Sequence, residues 1–209
     1  MLIDNKFDYD ALAGDTSSGI TSVVDFIRKN TDPNSGRQGK LDLVTGYFTI
    51  AGLDLLNKEL HKDNEYRLVL SELTSDEDFM SRVIDLLQGD AGIDAALNLS
   101  SAAKGAIEFL KRETVKVKAI TNAFCHAKSY VFEDNNDSAH DYYIMGSSNL
   151  TEAGLGMRPS SNVELNFAET GKNDKYKALR AWFKKQWDEV AKDKIPENPL
   201  DKKIGRAHV

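Results

Sequence analysis

Cysteine is almost missing from this chain: Cys125 is the single one among 209 residues. One thiol closes no internal disulfide, and no Cys/His group with zinc spacing is present. Long apolar runs are missing as well. No stretch approaches the roughly 20 residues needed to cross a bilayer, and the opening Met1-Leu2-Ile3-Asp4-Asn5 lacks a secretory pattern. These absences lead to the expectation of a cytoplasmic protein with no membrane partner, no metal and no cofactor. Histidine is scarce too, so imidazole chemistry must rest on His61, His126, His140 or His208.

What is present suits one globular domain. The length supports a single buried core and is short for two, so residues 1–195 are expected to form one domain and 196–209 an irregular tail or linker. A net charge of −6 argues against a protein that coats nucleic acid indiscriminately. Its distribution softens that argument. Residues 54–94 carry a local net of −7, whereas Lys104 to Lys128 carry +4 and Lys172 to Lys185 carry +5. The two basic stretches bracket the motifs described below. They read either as solvated faces or as an approach for a polyanion.

Periodicity places the elements. Thr16-Ser17-Ser18-Gly19 reads as a cap for a helix with Ile20, Val23, Val24, Phe26 and Ile27 on one side. Leu41–Tyr47 and Tyr66–Ser71 read as strands, with a helix over Ala51–Leu60 between them. A helix is expected over Asp76–Gln88, while residues 89–104 fit a helix connection or a loop. Then follow a helix over Ala106–Arg112, a strand over Val115–Ile120, and a hairpin through the polar turn 133–138. Asn162–Ala168 reads as a last strand and Lys175–Ala191 as a helix. Strands interleaved with helices, plus a hairpin, predict an α/β layer structure with a mixed sheet.

Two short stretches carry the chemistry. In Cys125-His126-Ala127-Lys128-Ser129-Tyr130 an imidazole and an ammonium stand two residues apart in a β-prone run. Alternation puts His126 and Lys128 on one face and turns Cys125 away, as a small core residue. In Met145-Gly146-Ser147-Ser148-Asn149-Leu150-Thr151 an apolar run ends in a small-residue turn that delivers a carboxamide. A nucleophile or base, a fixed positive charge and a neutral donor together suit a phosphate group.

His-x-Lys followed by Gly-Ser-x-Asn resembles the HKD signature of the phospholipase D superfamily. Leu41-Asp42-Leu43-Val44-Thr45-Gly46-Tyr47-Phe48 and Asn162-Val163-Glu164-Leu165-Asn166 are similar to its nuclease branch, found in metal-independent restriction endonucleases and beside bacterial helicases. The resemblance implies a phospholipase D-like fold, a central mixed β-sheet flanked by helices on both faces. It also implies a phosphodiesterase or endonuclease working through a phosphohistidine, with nucleic acid as partner, DNA ahead of RNA, and a possible helicase or specificity module. His126 becomes the nucleophile, and Lys128 and Asn149 hold the phosphate oxygens. Ser147 and Ser148 either contact substrate or shape the turn. Glu164 orients the histidine, with Val163 and Leu165 expected to face the core. The wider family's Asp falls here at Glu133, in what reads as an exposed turn, so neither Glu133 nor Asp134 is given a role. Only one His-x-Lys is present, and the family chemistry uses two histidines. A homodimer would supply the second. Rival readings are a non-catalytic nucleic-acid-binding or dimerisation module and a phospholipid hydrolase or phosphatidyltransferase.

Overall fold

The computed structural model describes residues 1–3, 22–31, 37–60, 62–71, 101–120, 123–157 and 163–193. The expected helix over 76–88, most of the 89–104 connection, the 4–14 lead-in, Asn162, His61, His208 and the 196–209 tail lie outside them.

Eight strands form one mixed sheet in the order β1-β7-β6-β5-β2-β3-β4-β8. They are β1 (Leu2–Ile3), β2 (Gly39–Thr45), β3 (Glu65–Ser71), β4 (Val115–Ile120), β5 (Ser129–Asp134), β6 (Tyr142–Gly146), β7 (Asn166–Thr170) and β8 (Lys192–Asp193). β2, β3 and β4 run parallel, with Leu43 opposite Leu68 and Leu68 opposite Val117. The other pairings are antiparallel, and β5–β6 is the expected hairpin, with Phe132 opposite Tyr142. The sheet bears out the α/β expectation, with helices on both faces.

Alternation along the strands sorts the two faces. Leu41, Leu43, Leu68, Leu70, Tyr130, Phe132, Tyr142 and Ile144 join the main core with helices α1 (Val23–Asn30), α2 (Ile50–Glu59) and α3 (Ser101–Leu110). Val44 and Val69 turn the other way, against Phe183 and Trp187 of α5 (Asp174–Lys185) and the π-turn that extends it to Val190. On that second face Asp42 of β2 and Arg67 of β3 form a buried bidentate ion pair at 2.7 and 2.5 Å. The Arg67 guanidinium lies 4.9 Å from the Phe183 ring centre and 5.4 Å from that of Trp187. A strand charge that composition alone would place in solvent is therefore an interior clamp between sheet and helix.

Helix α1 begins at a Ser22 cap, whose hydroxyl accepts from Asp25 N–H at 3.1 Å; the expected Thr16–Gly19 cap lies outside the described residues. Thr49 caps α2 by accepting from Gly52 N–H at 3.1 Å, and its own N–H donates to the Leu150 carbonyl at 3.0 Å. That bond ties the start of α2 to the turn after β6. Gly52 makes the approach possible, because a Cβ there would collide with the Leu150 carbonyl. A one-turn helix α4 (Glu152–Leu155) follows and ends at Gly156, with φ of 82°.

One expectation about charge is corrected, and one that was left open is decided. Glu133 is a β5 residue, not part of an exposed turn, and its carboxylate pairs with Arg180 of α5. The basic stretch 172–185 is largely consumed by such pairs: Lys175 with Glu169, Lys177 with Asp174, and Lys184 with Asp188. Most of it is a solvated, internally matched face.

Candidate active site

The carboxyl ends of the parallel strands mark where open α/β sheets place their ligands. At this edge β2 ends at Thr45 and β6 at Gly146, while β5 begins at Ser129 and β7 at Asn166. His126 and Lys128 lie in the extended segment that enters β5, one step short of the strand proper. Alternation persists there as expected: Cys125 and Ala127 pack toward the α5 face, His126 is exposed and Lys128 is buried.

Gly46 is the hub that joins the two motifs. A Cβ on Gly46 would stand 2.9 Å from the Cys125 carbonyl, 3.5 Å from His126 Cα and 3.7 Å from Asn149 Oδ1. Only a residue without a side chain lets the β2 exit lie between the histidine segment and the Gly-Ser-x-Asn turn.

Asn149 is oriented from the same exit. Its Oδ1 accepts from Tyr47 N–H at 3.0 Å and lies 3.4 Å from Thr45 Oγ1. With the oxygen engaged by a backbone donor, the amide NH2 is the end left to point outward. Thr45 fixes the turn further: its hydroxyl donates to the Tyr47 carbonyl at 2.6 Å and accepts from Leu150 N–H at 3.1 Å.

Lys128 is only 5% exposed. One of its three donors goes to the His126 carbonyl at 2.8 Å. Burial holds its pKa below the ordinary lysine value, opposed by the nearby negative charge of Glu164. Glu164 is itself buried and accepts a hydrogen bond from the Ser147 hydroxyl. Ser147 Oγ also accepts from Leu165 N–H at 2.9 Å, so this exposed serine holds β7 to the turn. Among the described residues the His126 imidazole has a ring contact with Phe124 and no hydrogen bond of its own. The expected Glu164-to-imidazole bond is not formed within the single chain.

Two further expectations change. Val163 and Leu165 do not face the core: they are 80% and 51% exposed, while Glu164 and Asn166 are buried. The inward positions are polar because the opposing turn is polar. Asn166 donates to Ser148 Oγ at 2.9 Å and accepts from Ser148 N–H at 3.3 Å. Ser148 is fully buried, so its hydroxyl shapes the turn and does not face a ligand. Tyr130 adds a hydroxyl to the Ser148 carbonyl at 3.3 Å, and burial beside Glu164 raises its pKa and keeps it neutral. Sequence reasoning missed Asn166, Thr45, Tyr47 and Phe124. The alternation of Glu164 and Asn166 was a usable signal for Asn166; no local pattern marks the other three.

His140 stands apart, at the far end of the hairpin, with Nδ1 3.6 Å from Asp134. A cleft of about 580 Å³, lined by Met1, Phe26, Lys29 and Glu169 among others, also lies away from these residues. Among the described residues no group of three or more His, Cys, Asp or Glu is placed to hold a metal ion, and no helix is long and apolar enough to cross a membrane.

No curated protein matches the sequence. Several solved structures are similar in shape at low identity. Nuc from Salmonella typhimurium, described as a phospholipase D family member, is 14% identical with a TM-score of 0.48, over 83% of this chain and 89% of that one. A mutant of yeast tyrosyl-DNA phosphodiesterase 1 is 14% identical with a TM-score of 0.46, over 81% of this chain and 31% of that one. The polyphosphate kinase from Porphyromonas gingivalis is 11% identical with a TM-score of 0.48, over 99% of this chain and 27% of that one. Residues 36–187, which contain His126, Lys128, Asn149 and Glu164, match the family model described as "Cardiolipin synthase, PLD-like domain". With most of its length so matched, the chain belongs to the phospholipase D-like domain family.

Proposed function

We propose that this protein is a metal-independent phosphodiesterase that cleaves nucleic acid, DNA ahead of RNA, and acts as a homodimer. The observation that carries the reading is the locked Asn149 carboxamide. Its oxygen is held by Tyr47 N–H, which leaves both amide N–H donors for a ligand next to an exposed imidazole and a buried ammonium. A neutral donor and a desolvated cation at one edge favour an oxyanion whose negative charge grows in the transition state.

In this reading one ring nitrogen of His126 attacks phosphorus while the bond to the leaving alkoxide breaks. A second imidazole, the partner's His126, gives its proton to that oxygen. Water then attacks phosphorus, losing its proton to the same second imidazole, while the phosphorus–nitrogen bond to His126 breaks and a phosphate monoester leaves. Lys128 and Asn149 hold the non-bridging oxygens throughout. Glu164 supports the charge of Lys128 and, with Ser147, holds the turn in register. Single occurrence of the His-x-Lys pair supports assembly about a two-fold axis. A restriction or helicase setting remains part of the proposal as the source of targeting.

The test is cleavage of single- and double-stranded DNA and RNA in excess EDTA by wild type and His126→Ala, with sedimentation of both. Cutting by a dimer that is lost in the variant is the expected result. A folded dimer that binds oligonucleotide without cutting it replaces this reading with a binding module. Hydrolysis of phospholipid vesicles without oligonucleotide cleavage replaces it with a lipid hydrolase.

A further inference from the structure

Two aromatic rings stand in water beside the candidate site. Tyr47 is 45% exposed and Phe124 is 49% exposed. Neither belongs to a core cluster. Other exposed apolar side chains, Met145, Leu165 and Phe167, alternate with the buried Glu164 and Asn166 and so occupy the opposite side of the sheet. Tyr47 and Phe124 are different in kind: each is the immediate neighbour of a site residue.

Phe124 has its ring centre 5.7 Å from that of His126, at 41° to its plane. Tyr47 supplies the N–H that orients Asn149. Both rings hang from anchored backbone. Tyr47 is pinned through Asn149 and through the Thr45 hydroxyl on its carbonyl. Phe124 precedes Cys125, whose N–H donates to Ser71 Oγ at 2.9 Å. A platform fixed this way loses little freedom on binding.

A nucleobase is joined to its flanking phosphates through one sugar. A phosphate held at His126 and Asn149 therefore brings the neighbouring bases to the rings beside those residues. Bases stacked inside a duplex cannot present a free face there, whereas those of a single strand can. Resting on the phosphodiesterase reading above, we propose that Tyr47 and Phe124 stack the unpaired bases next to the scissile phosphate, and that the substrate is single-stranded nucleic acid. Stacking of this kind tolerates any base, so the site selects strandedness and not sequence.

The experiment measures binding without turnover, using full-length His126→Ala and fluorescein-labelled probes: a thymidine 12-mer, the same strand with abasic central residues, and a hairpin duplex. Equal charge on the two single strands holds the phosphate contribution constant. The base-bearing strand is expected to bind about ten-fold or more tightly than the abasic strand. Adding Phe124→Ala is expected to collapse that ratio toward one, and Phe124→Trp to preserve it. Equal affinity for the abasic strand, a preference for the duplex, or an undisturbed ratio in Phe124→Ala overturns the proposal. Failure of the underlying reading looks different. Base-dependent binding with no EDTA-resistant cleavage by wild type leaves the stacking intact and removes the nuclease; equal cleavage of base-bearing and abasic strands does the reverse.

Discussion

Changing Asn149 to aspartate exchanges one amide N for an oxygen, and the geometry predicts opposite consequences for stability and for activity. The acceptor that meets Tyr47 N–H at 3.0 Å is retained. An ionised acceptor strengthens such a bond. Asn149→Asp is therefore expected to unfold within about 1 kcal/mol of wild type, a shift of about 2–4 °C in Tm for a chain of this size. Asn149→Ala removes that acceptor and should be the less stable variant, by about 1 kcal/mol.

Activity runs the other way. Losing one preorganised donor to a developing oxyanion costs about a hundred- to a thousand-fold. Asn149→Asp also adds a negative oxygen facing the phosphate. At about 4 Å and an effective dielectric of about 20 that repulsion is about 4 kcal/mol, close to three further decades. The more stable variant should therefore be the less active one, by a hundred-fold or more. The assay is initial rate on a single-stranded oligonucleotide in EDTA, alongside thermal melts with and without inorganic phosphate. Phosphate should raise the Tm of wild type and leave that of Asn149→Asp unmoved. An aspartate variant as active as the alanine one, or equally stabilised by phosphate, would show that the amide does not face the phosphate.

Three further outcomes are expected. Gly52→Ala drives a Cβ into the Leu150 carbonyl; it should cost about 1–3 kcal/mol in a urea melt and lower the cleavage rate by displacing the adjacent Asn149. Arg67→Met leaves the Asp42 carboxylate, 4% exposed, buried without its partner and should cost about 3–5 kcal/mol, whereas Asp42→Leu with Arg67→Met should recover most of that loss. Burial lowers the pKa of Lys128 below 10.5, so the alkaline limb of kcat/KM should fall earlier than an ordinary lysine allows and move upward in Lys128→Arg. For stability the sign is the reverse. Between its lowered pKa and 10.5 the folded protein binds fewer protons than the unfolded chain, so unbound protein gains stability from this group as pH rises through that window.

The parts of the fold legible in the sequence were those whose burial follows one period. Val115–Ile120 was placed to the residue, and β2, β3 and α2 within one or two. Misplacements arose where a tertiary partner decided the outcome. Glu133 looked like turn chemistry beside Asp134 and Asn135, but Arg180, forty-seven residues later, draws it onto β5. No local pattern contains that contact. The basic run through α5 likewise could not be resolved between a solvated face and a polyanion approach, because the carboxylates that neutralise it come partly from β5 and β7.

Val163-Glu164-Leu165-Asn166-Phe167 shows why the site itself was only half legible. Its alternation was read as a strand over Asn162–Ala168, whereas β7 runs from Asn166 to Thr170, and the rule that apolar residues face inward gave the wrong face. The apolar contacts of α5 fall on Val44, Val69 and Val131, and it meets β7 only through polar groups such as Lys175 on Glu169, so the apolar side of this segment meets water. The polar side meets the Ser147-Ser148 turn, which offers Glu164 and Asn166 the hydrogen bonds that make burial tolerable. Inverting the face is what brings Glu164 to Lys128. A buried lysine needs a carboxylate nearby and an open position for an anion; with the apolar side turned inward, its charge would have neither. The departure from the hydrophobic rule on β7 and the charge arrangement of the site are thus one structural fact, and the exposed Val163 and Leu165 are its cost.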